Sequence, residues 1–273
     1  MLLFGFSPLS ALAACGAQGE SVAYVNGILT NTKDAKNELF MLRLTMLSRP
    51  ESRDITFINV FNPSHLAGLG DLAESVSQVL GTPISDFDYT NMTQQLHEYL
   101  STRKVLLLGY SQGSLYTNSL YAYLLSHGEP KEAVGVYNVA TPASTVAGGG
   151  AYLNSKEDIA LSMIAAAAKK VGAPPPLPGN IDIIISPEDI AHNPVEGHSF
   201  VDAYLMGAPG KVGSDTLKNL STLKPVFASE TGDCFDAPPE SVGERFERGV
   251  FRVADPIAGI AAGVFSRVAK VCI

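Results

Sequence analysis

The chain has 273 residues, of which 46% are hydrophobic and 17% are charged, and its formal net charge is -8 at pH 7. A chain of this length and apolar content can bury one large core, which argues against disorder over most of it. The acidic balance and the absence of Lys and Arg clusters argue against nucleic acid as a partner.

The N-terminal segment predicts export from the cytoplasm. Residues 2–14 are apolar or small throughout, a run too short for a membrane-spanning helix of about 20 residues but typical of a secretory signal. The run leads into Leu12-Ala13-Ala14-Cys15, which resembles the lipobox of bacterial lipoproteins, where the cysteine carries a lipid. We therefore expect an exported protein that is attached to a membrane through lipid on Cys15. The alternative is an ordinary secretory signal, cut near Ala13 or Ala14.

Short apolar runs alternate with longer helical patterns along the rest of the chain. Strands are predicted at 21–25, 55–60, 105–108, 134–139 and 181–185. Helices are predicted at 33–48, 69–80, 89–101, 112–125 and 156–171, with another after Ser199. Five strands separated by helices predict an α/β fold, with a mainly parallel five-stranded sheet and helices on both faces. Such sheets bind their ligands at the carboxyl ends of the strands.

The segment Gly109-Tyr110-Ser111-Gln112-Gly113 is the pattern that indicates chemistry. It follows a predicted strand directly and opens a predicted helix, which is the setting of the nucleophile elbow in α/β hydrolases. The tight turn strains the backbone at Ser111, and Gly109 and Gly113 are small because strand and helix crowd together there. Ser111 is therefore the candidate nucleophile. The alternative is a glycine-rich turn with an idle serine.

A serine nucleophile needs a histidine to take its proton, and the candidates are His65, His97, His127, His192 and His198. The segment 181–198 holds a predicted strand and then a loop with several acids and two of these histidines. His198 is preferred over His192 because a longer loop lets it fold back over the serine. Asp189 is the preferred acid, since Asp182 lies inside the predicted strand and Glu188 comes one residue early.

The elbow resembles the nucleophile motif of cutinases and related acetylxylan esterases, including its Tyr and its Gln. That family has a five-stranded parallel sheet, and its acid and histidine lie close together after the last strand. Over residues 21–206 the resemblance implies a triad of Ser111, Asp189 and His198. The cysteine that cutinases carry between acid and histidine is absent here, so we expect a cutinase-like hydrolase rather than a true cutinase.

Two backbone donors are needed for the oxyanion of the tetrahedral intermediate. The amide of Gln112 is the first, and the loop after the first strand supplies the second. In that loop Gly27 allows close approach and Ile28 is the candidate donor, although a plain strand-end turn is the alternative. The predicted reaction is hydrolysis of a small-molecule, lipid or polymer ester, without a cofactor or metal. Activity should fall below about pH 6.5, when His198 becomes protonated.

The chain divides into three predicted parts. Residues 1–20 are the signal, lipobox and a short linker, 21–206 the α/β-hydrolase domain, and 207–273 a C-terminal extension. The extension is polar and rich in loops until an apolar helical stretch at 256–273, and we expect it to pack on the body of the protein. A different class of function is also open: a surface lipoprotein that uses a hydrolase-like fold as a binding scaffold.

Two cysteines remain if Cys15 carries lipid, and both would lie in an oxidising compartment. We predict that Cys234 and Cys272 form a disulfide that fixes the C-terminal tail; two unpaired thiols are the alternative. Mass spectrometry of the secreted protein without reduction should find no free thiol at either position. Two free thiols would contradict the bridge.

Overall fold

The computed structural model describes residues 20–27, 30–47, 49, 55–62, 92, 93, 96, 104–126, 129–187, 191 and 195–224. In this part of the chain one sheet has the strand order β2-β1-β3-β4-β5. Its strands are β1 (Glu20–Val25), β2 (Ile55–Val60), β3 (Lys104–Tyr110), β4 (Val134–Val139) and β5 (Ala151–Leu153). Every neighbouring pair is parallel, which confirms the predicted α/β fold.

Helices cover both faces of the sheet. They are α1 (Thr32–Met46), α2 (Gly113–Ser126), α3 (Ile159–Val171), a π-helical segment (Phe200–Met206) and α4 (Lys211–Thr222). Successive residues of a strand point to opposite faces, so Leu106 and Leu108 of β3 pack with α1, the π-helical segment and α4. Leu107 packs with α2 on the other face. Among the helices that the structure describes, none is long and apolar enough to cross a bilayer.

Most of the two helices predicted between β2 and β3 lies outside the described residues. Within that stretch, Met92, Thr93 and Leu96 are helical and buried. Met92 and Leu96 belong to the same apolar cluster as Leu107. This face of the sheet is therefore covered by α2, which follows β3 in the sequence, and by Met92 and Leu96, which precede it.

The predicted fifth strand at 181–185 is wrong. The fifth strand is β5, and Ile181 makes only an isolated parallel bridge to Ser155. The backbone N–H of Ile183 donates to the Glu157 carboxylate and that of Ile184 to the Gly207 carbonyl, so they do not form a ladder. A strand of three residues is too short to leave a periodic pattern, whereas an apolar run that follows a loop imitates one.

The loop-rich reading of the chain after Gly207 is also wrong for its first part, because Lys211–Thr222 forms α4. Val212, Thr216 and Leu220 recur every four residues and are buried, and Val212 and Leu220 belong to the cluster on the α1 side of the sheet. The remaining positions are mostly polar, which hid this narrow stripe in the sequence. The described part of the predicted extension therefore packs on the sheet.

A partly buried acid, Glu38, joins α1 to β1. The Tyr24 hydroxyl donates a hydrogen bond to the Glu38 carboxyl at 2.8 Å. Burial raises the pKa of Glu38 from its ordinary value of 4.5 to about 8, the charge of Asp34 adds to the rise, and the Tyr24 hydrogen bond opposes it. Glu38 is therefore protonated in the folded protein at neutral pH and ionised in the unfolded chain.

This difference predicts a pH-dependent stability. Between about pH 4.5 and pH 8 the folded state holds a proton that the unfolded state has released, so Glu38 makes the free energy of unfolding fall as pH rises, by at most about 1.4 kcal/mol per pH unit. Glu38→Gln should remove this component, and its stability relative to wild type should rise between pH 5 and pH 8 in urea unfolding. Glu132→Gln, at an exposed position outside α1, is the control. A constant difference between Glu38→Gln and wild type across this range would contradict the prediction.

Candidate active site

Ser111 lies in a strained turn between β3 and α2. Its φ is 51°, a left-handed conformation that side chains other than glycine rarely adopt. Its backbone N–H donates to the Val139 carbonyl at 3.0 Å, which extends the pairing of β3 with β4 by one residue. Ser111 is 6% exposed, so the turn holds its hydroxyl at the edge of the core.

Both elbow glycines face backbone that leaves no room for a side chain. A Cβ on Gly109 would lie 2.5 Å from the Ser114 Cα, and a Cβ on Gly113 would lie 2.3 Å from the Val25 carbonyl oxygen. The first contact is between β3 and α2 and the second between α2 and the end of β1. The small residues of the motif thus allow the strand and helix to approach closely enough to form the turn.

The structure brings His198 to Ser111. The Ser111 Oγ and His198 Nε2 lie 2.8 Å apart, within reach of a direct proton transfer. The Tyr110 hydroxyl donates to the His198 carbonyl, and the two rings are 5.6 Å apart. Tyr110, the last residue of β3, therefore holds the backbone of His198 from the position directly before Ser111. The other histidines considered, His65, His97, His127 and His192, lie outside the described residues.

The acid beside His198 is Asp158, which was not among the predicted site residues. The His198 Nδ1 lies 2.8 Å from Oδ2 and 3.0 Å from Oδ1 of Asp158. The Asp158 side chain is fully buried and that of His198 is 15% exposed. Asp158 also caps α3, since its Oδ1 accepts a hydrogen bond from the Leu161 N–H at 3.1 Å. The carboxylate is thus fixed by the start of a helix.

Asp158 lies where Asp189 was predicted, beside Nδ1 of His198. Asp189 and Glu188 lie outside the described residues, and Asp182 is an exposed residue paired with Lys156 at 2.9 Å. The prediction depended on the supposed strand at 181–185, whereas the strand that precedes the acid is β5. One signal was available: an aspartate directly before an Ala-rich helical pattern is a typical N-cap.

The loop that carries His198 packs on the backbone beside Asp158. Gly197 has a φ of +76°, and a Cβ there would lie 2.7 Å from the Glu157 carbonyl oxygen. Ile159, which directly follows Asp158, donates its N–H to the Glu196 carbonyl at 3.3 Å. Base and acid therefore approach each other through their backbones as well as their side chains.

Tyr204 completes the surroundings of the acid. Its hydroxyl donates to Oδ2 of Asp158 at 2.8 Å and accepts from the Ser155 N–H at 3.0 Å. Burial raises the pKa of Tyr204 well above its usual value, and the nearby charge of Asp158 raises it further. The phenol therefore keeps its proton and acts as a donor to the carboxylate. No sequence pattern pointed to this residue.

The loop after β1 approaches the serine closely. A Cβ on Gly27 would lie 2.9 Å from the Ser111 Cβ. Buried amides support this region: Asn62 donates through Nδ2 to Gln112 Oε1 at 3.1 Å, and its N–H donates to Asn26 Oδ1 at 2.8 Å. The predicted donor Gln112 thus lies directly after Ser111 with its side chain fixed. The second predicted donor, Ile28, lies outside the described residues.

The described residues contain no cluster of three His, Cys, Asp or Glu side chains that could hold a metal ion. Cys15, Cys234 and Cys272 lie outside them, so the lipidation and the disulfide remain predictions. No protein-family model matches the chain, and no curated protein matches it significantly. The functional inference therefore depends on the residues and their geometry.

Proposed function

We propose that this protein is a serine hydrolase that cleaves carboxylic esters through a covalent acyl-enzyme. The observation that carries the proposal is a continuous path of two 2.8 Å contacts, from Ser111 to His198 and from His198 to Asp158. Nucleophile, base and acid in this order are the arrangement that activates a serine on many unrelated folds. Ser111 and Asp158 both follow strands of the parallel sheet, at the carboxyl edge where such folds bind ligands.

In the proposed reaction, His198 takes the Ser111 proton through Nε2 as the Ser111 oxygen attacks the ester carbonyl. The resulting imidazolium donates through Nδ1 to the Asp158 carboxylate, which stabilises its charge and fixes its orientation. Collapse of the tetrahedral intermediate releases the alcohol, which takes the proton from His198. A water molecule then attacks the acyl-enzyme. His198 takes a proton from this water and passes it to the Ser111 oxygen as the carboxylic acid product leaves.

The oxyanion would be held by backbone N–H groups on both sides of the elbow. We assign the amide of Gln112 as one donor and that of Ile28 as the other. The close approach of Gly27 to Ser111, with a Cβ position only 2.9 Å from the serine Cβ, supports a contribution from the loop after β1. The positive end of the α2 dipole favours the developing negative charge at the same point.

Esters are the preferred substrate class for two reasons. The elbow resembles that of cutinases, and the small residues of the loop at 141–150 suit an apolar acyl or alcohol group. This loop lies beside the elbow, because the Thr141 hydroxyl is 2.6 Å from the Ser114 hydroxyl and Ser114 donates to the Ser111 carbonyl. We further propose that the protein is exported and attached to a membrane through lipid on Cys15.

The binding-scaffold alternative lacks a supporting observation. A His198 far from Ser111, with no other base near the serine, would have favoured it. The 2.8 Å distance between the serine and histidine side chains favours catalysis, since a scaffold has no need to hold a buried acid, a base and a strained serine in line.

The nucleophile assignment predicts that Ser111→Ala abolishes turnover of short p-nitrophenyl esters, because no other group in the proposed mechanism can form the acyl-enzyme. A fluorophosphonate probe should label wild type and not this variant. Ser126→Ala, at the exposed end of α2, is the matched control and should keep both properties. Undiminished turnover in Ser111→Ala would refute the assignment.

The acid assignment predicts a difference between two aspartates. Asp158→Asn should lower kcat roughly 10³- to 10⁴-fold, because an amide at this position no longer selects the imidazole tautomer that can accept the serine proton. Asp189→Asn should retain activity within a few fold of wild type. Steady-state kinetics on one ester substrate measures both variants. A large loss in Asp189→Asn with little change in Asp158→Asn would restore the original assignment.

A further inference from the structure

We infer that Tyr204 is a positioning residue that holds the Asp158 carboxylate in line with His198. The inference rests on the proposed function, because it concerns how the acid of the triad is oriented. It is drawn from four contacts of one buried carboxylate, together with the winding of the segment that carries Tyr204.

The Asp158 carboxylate is shared among three donors. Oδ1 accepts from the Leu161 N–H at 3.1 Å, and Oδ2 accepts from the Tyr204 hydroxyl at 2.8 Å. His198 Nδ1 lies between the two oxygens, at 3.0 and 2.8 Å. One donor on each oxygen prevents the carboxylate from rotating about its Cβ–Cγ bond. Without the tyrosine hydroxyl, Oδ2 would keep only its contact with His198.

The direction of the Tyr204 hydrogen bond is fixed by its neighbours. An ionised carboxylate can only accept hydrogen bonds, so the phenol must donate to it. The Ser155 N–H occupies an acceptor position of the same phenol at 3.0 Å. A backbone donor thus orients the hydroxyl, and the hydroxyl orients the carboxylate.

Tyr204 and His198 belong to one short stretch of chain. Ser199 caps the π-helical segment that follows His198, and the Tyr204 N–H donates to the Ser199 carbonyl five residues earlier. The wider π winding changes which residues face the core compared with an α-helix, and such segments occur often at functional sites. Here it buries Tyr204 completely beside Phe200 and Ala203. The base and the residue that holds the acid are therefore placed by the same segment.

A second buried tyrosine provides a matched control. Tyr137 of β4 is also fully buried, and its hydroxyl donates to an aspartate, Asp215 of α4, at 3.3 Å. Removing either hydroxyl leaves a ring of the same shape in the core. Of these two tyrosines, only Tyr204 contacts the proposed triad, so a loss specific to Tyr204→Phe cannot be a general effect of removing a buried phenol.

The test compares Tyr204→Phe, Tyr137→Phe and wild type by steady-state ester hydrolysis across pH. Tyr204→Phe should lower kcat about tenfold at the pH optimum with KM unchanged, because the loss is in orientation of the acid rather than in substrate binding. The acidic midpoint of its pH profile should rise by up to about one unit. The hydroxyl draws negative charge from Asp158, so its removal strengthens the attraction between carboxylate and imidazolium. Tyr137→Phe should keep the wild-type kcat and midpoint.

A double mutant separates positioning from a direct role. In an Asp158→Ala background, Tyr204→Phe should cause no further loss of kcat, since the group through which it acts is gone. A kcat and midpoint in Tyr204→Phe equal to those of wild type would overturn the inference. Equal losses in the two tyrosine variants would also overturn it, as would an undiminished further loss in the double mutant.

A spectroscopic readout covers the remaining outcomes. The Nδ1 proton of His198, bound to a buried carboxylate, should give a strongly downfield proton NMR signal that moves in Tyr204→Phe and not in Tyr137→Phe. If neither wild type nor the variants hydrolyse esters, the proposed function fails. The NMR signal still decides whether Tyr204 positions Asp158. If Tyr204→Phe does not fold, fluorotyrosine at 204 keeps the ring and strengthens donation, so the signal should still move. An unmoved signal in a folded variant would refute the inference.

Discussion

The proposed site depends on one constraint: the Asp158 carboxylate is shielded from solvent, so protein groups must supply its hydrogen bonds. An unpaired buried charge is strongly disfavoured, yet the Asp158 side chain is fully buried. It is tolerated because the start of α3, the phenol of Tyr204 and the ring of His198 all donate to it. These donors come from segments about 40 residues apart in the sequence. The carboxylate therefore ties the end of β5 to the segment that carries the base.

The elbow imposes the second constraint, and it is steric. Ser111 is held at a φ of 51°, and such a conformation persists only when the surrounding structure over-determines it. The backbone contacts around Gly109 and Gly113 supply that rigidity. Across the turn, Tyr110 bonds to the backbone of His198. The positions of Ser111 and His198 are thus both set by the end of β3, whereas the position of Asp158 is set by the chain that follows β5.

Sequence patterns predicted the parts of the molecule that have a periodic apolar pattern or a strong local motif. Strands 55–60 and 134–139 match the structure at both ends, because each is a dense apolar run between clear turns. The Ser111 turn was predictable from its five-residue motif between a strand and a helix, and the structure also places His198 beside Ser111. Asp158 and Tyr204 were missed. The three residues of β5 leave no period, and a tyrosine on a π-helical segment has no characteristic spacing, so only contacts in space connect these two residues to the site.

The position of β5 affects how the site would fail. In the described sheet β5 is the edge strand and has three residues, and the chain directly after it is joined to Ile181 by an isolated bridge and by backbone hydrogen bonds from Lys156 and to Asn154. Edges of this kind open with much less free energy than the strands at the centre, where β3 lies. Partial opening there would separate Asp158 from His198. The proposed activity would then be lost through local opening at one edge of the sheet, at a temperature below the cooperative unfolding of the core.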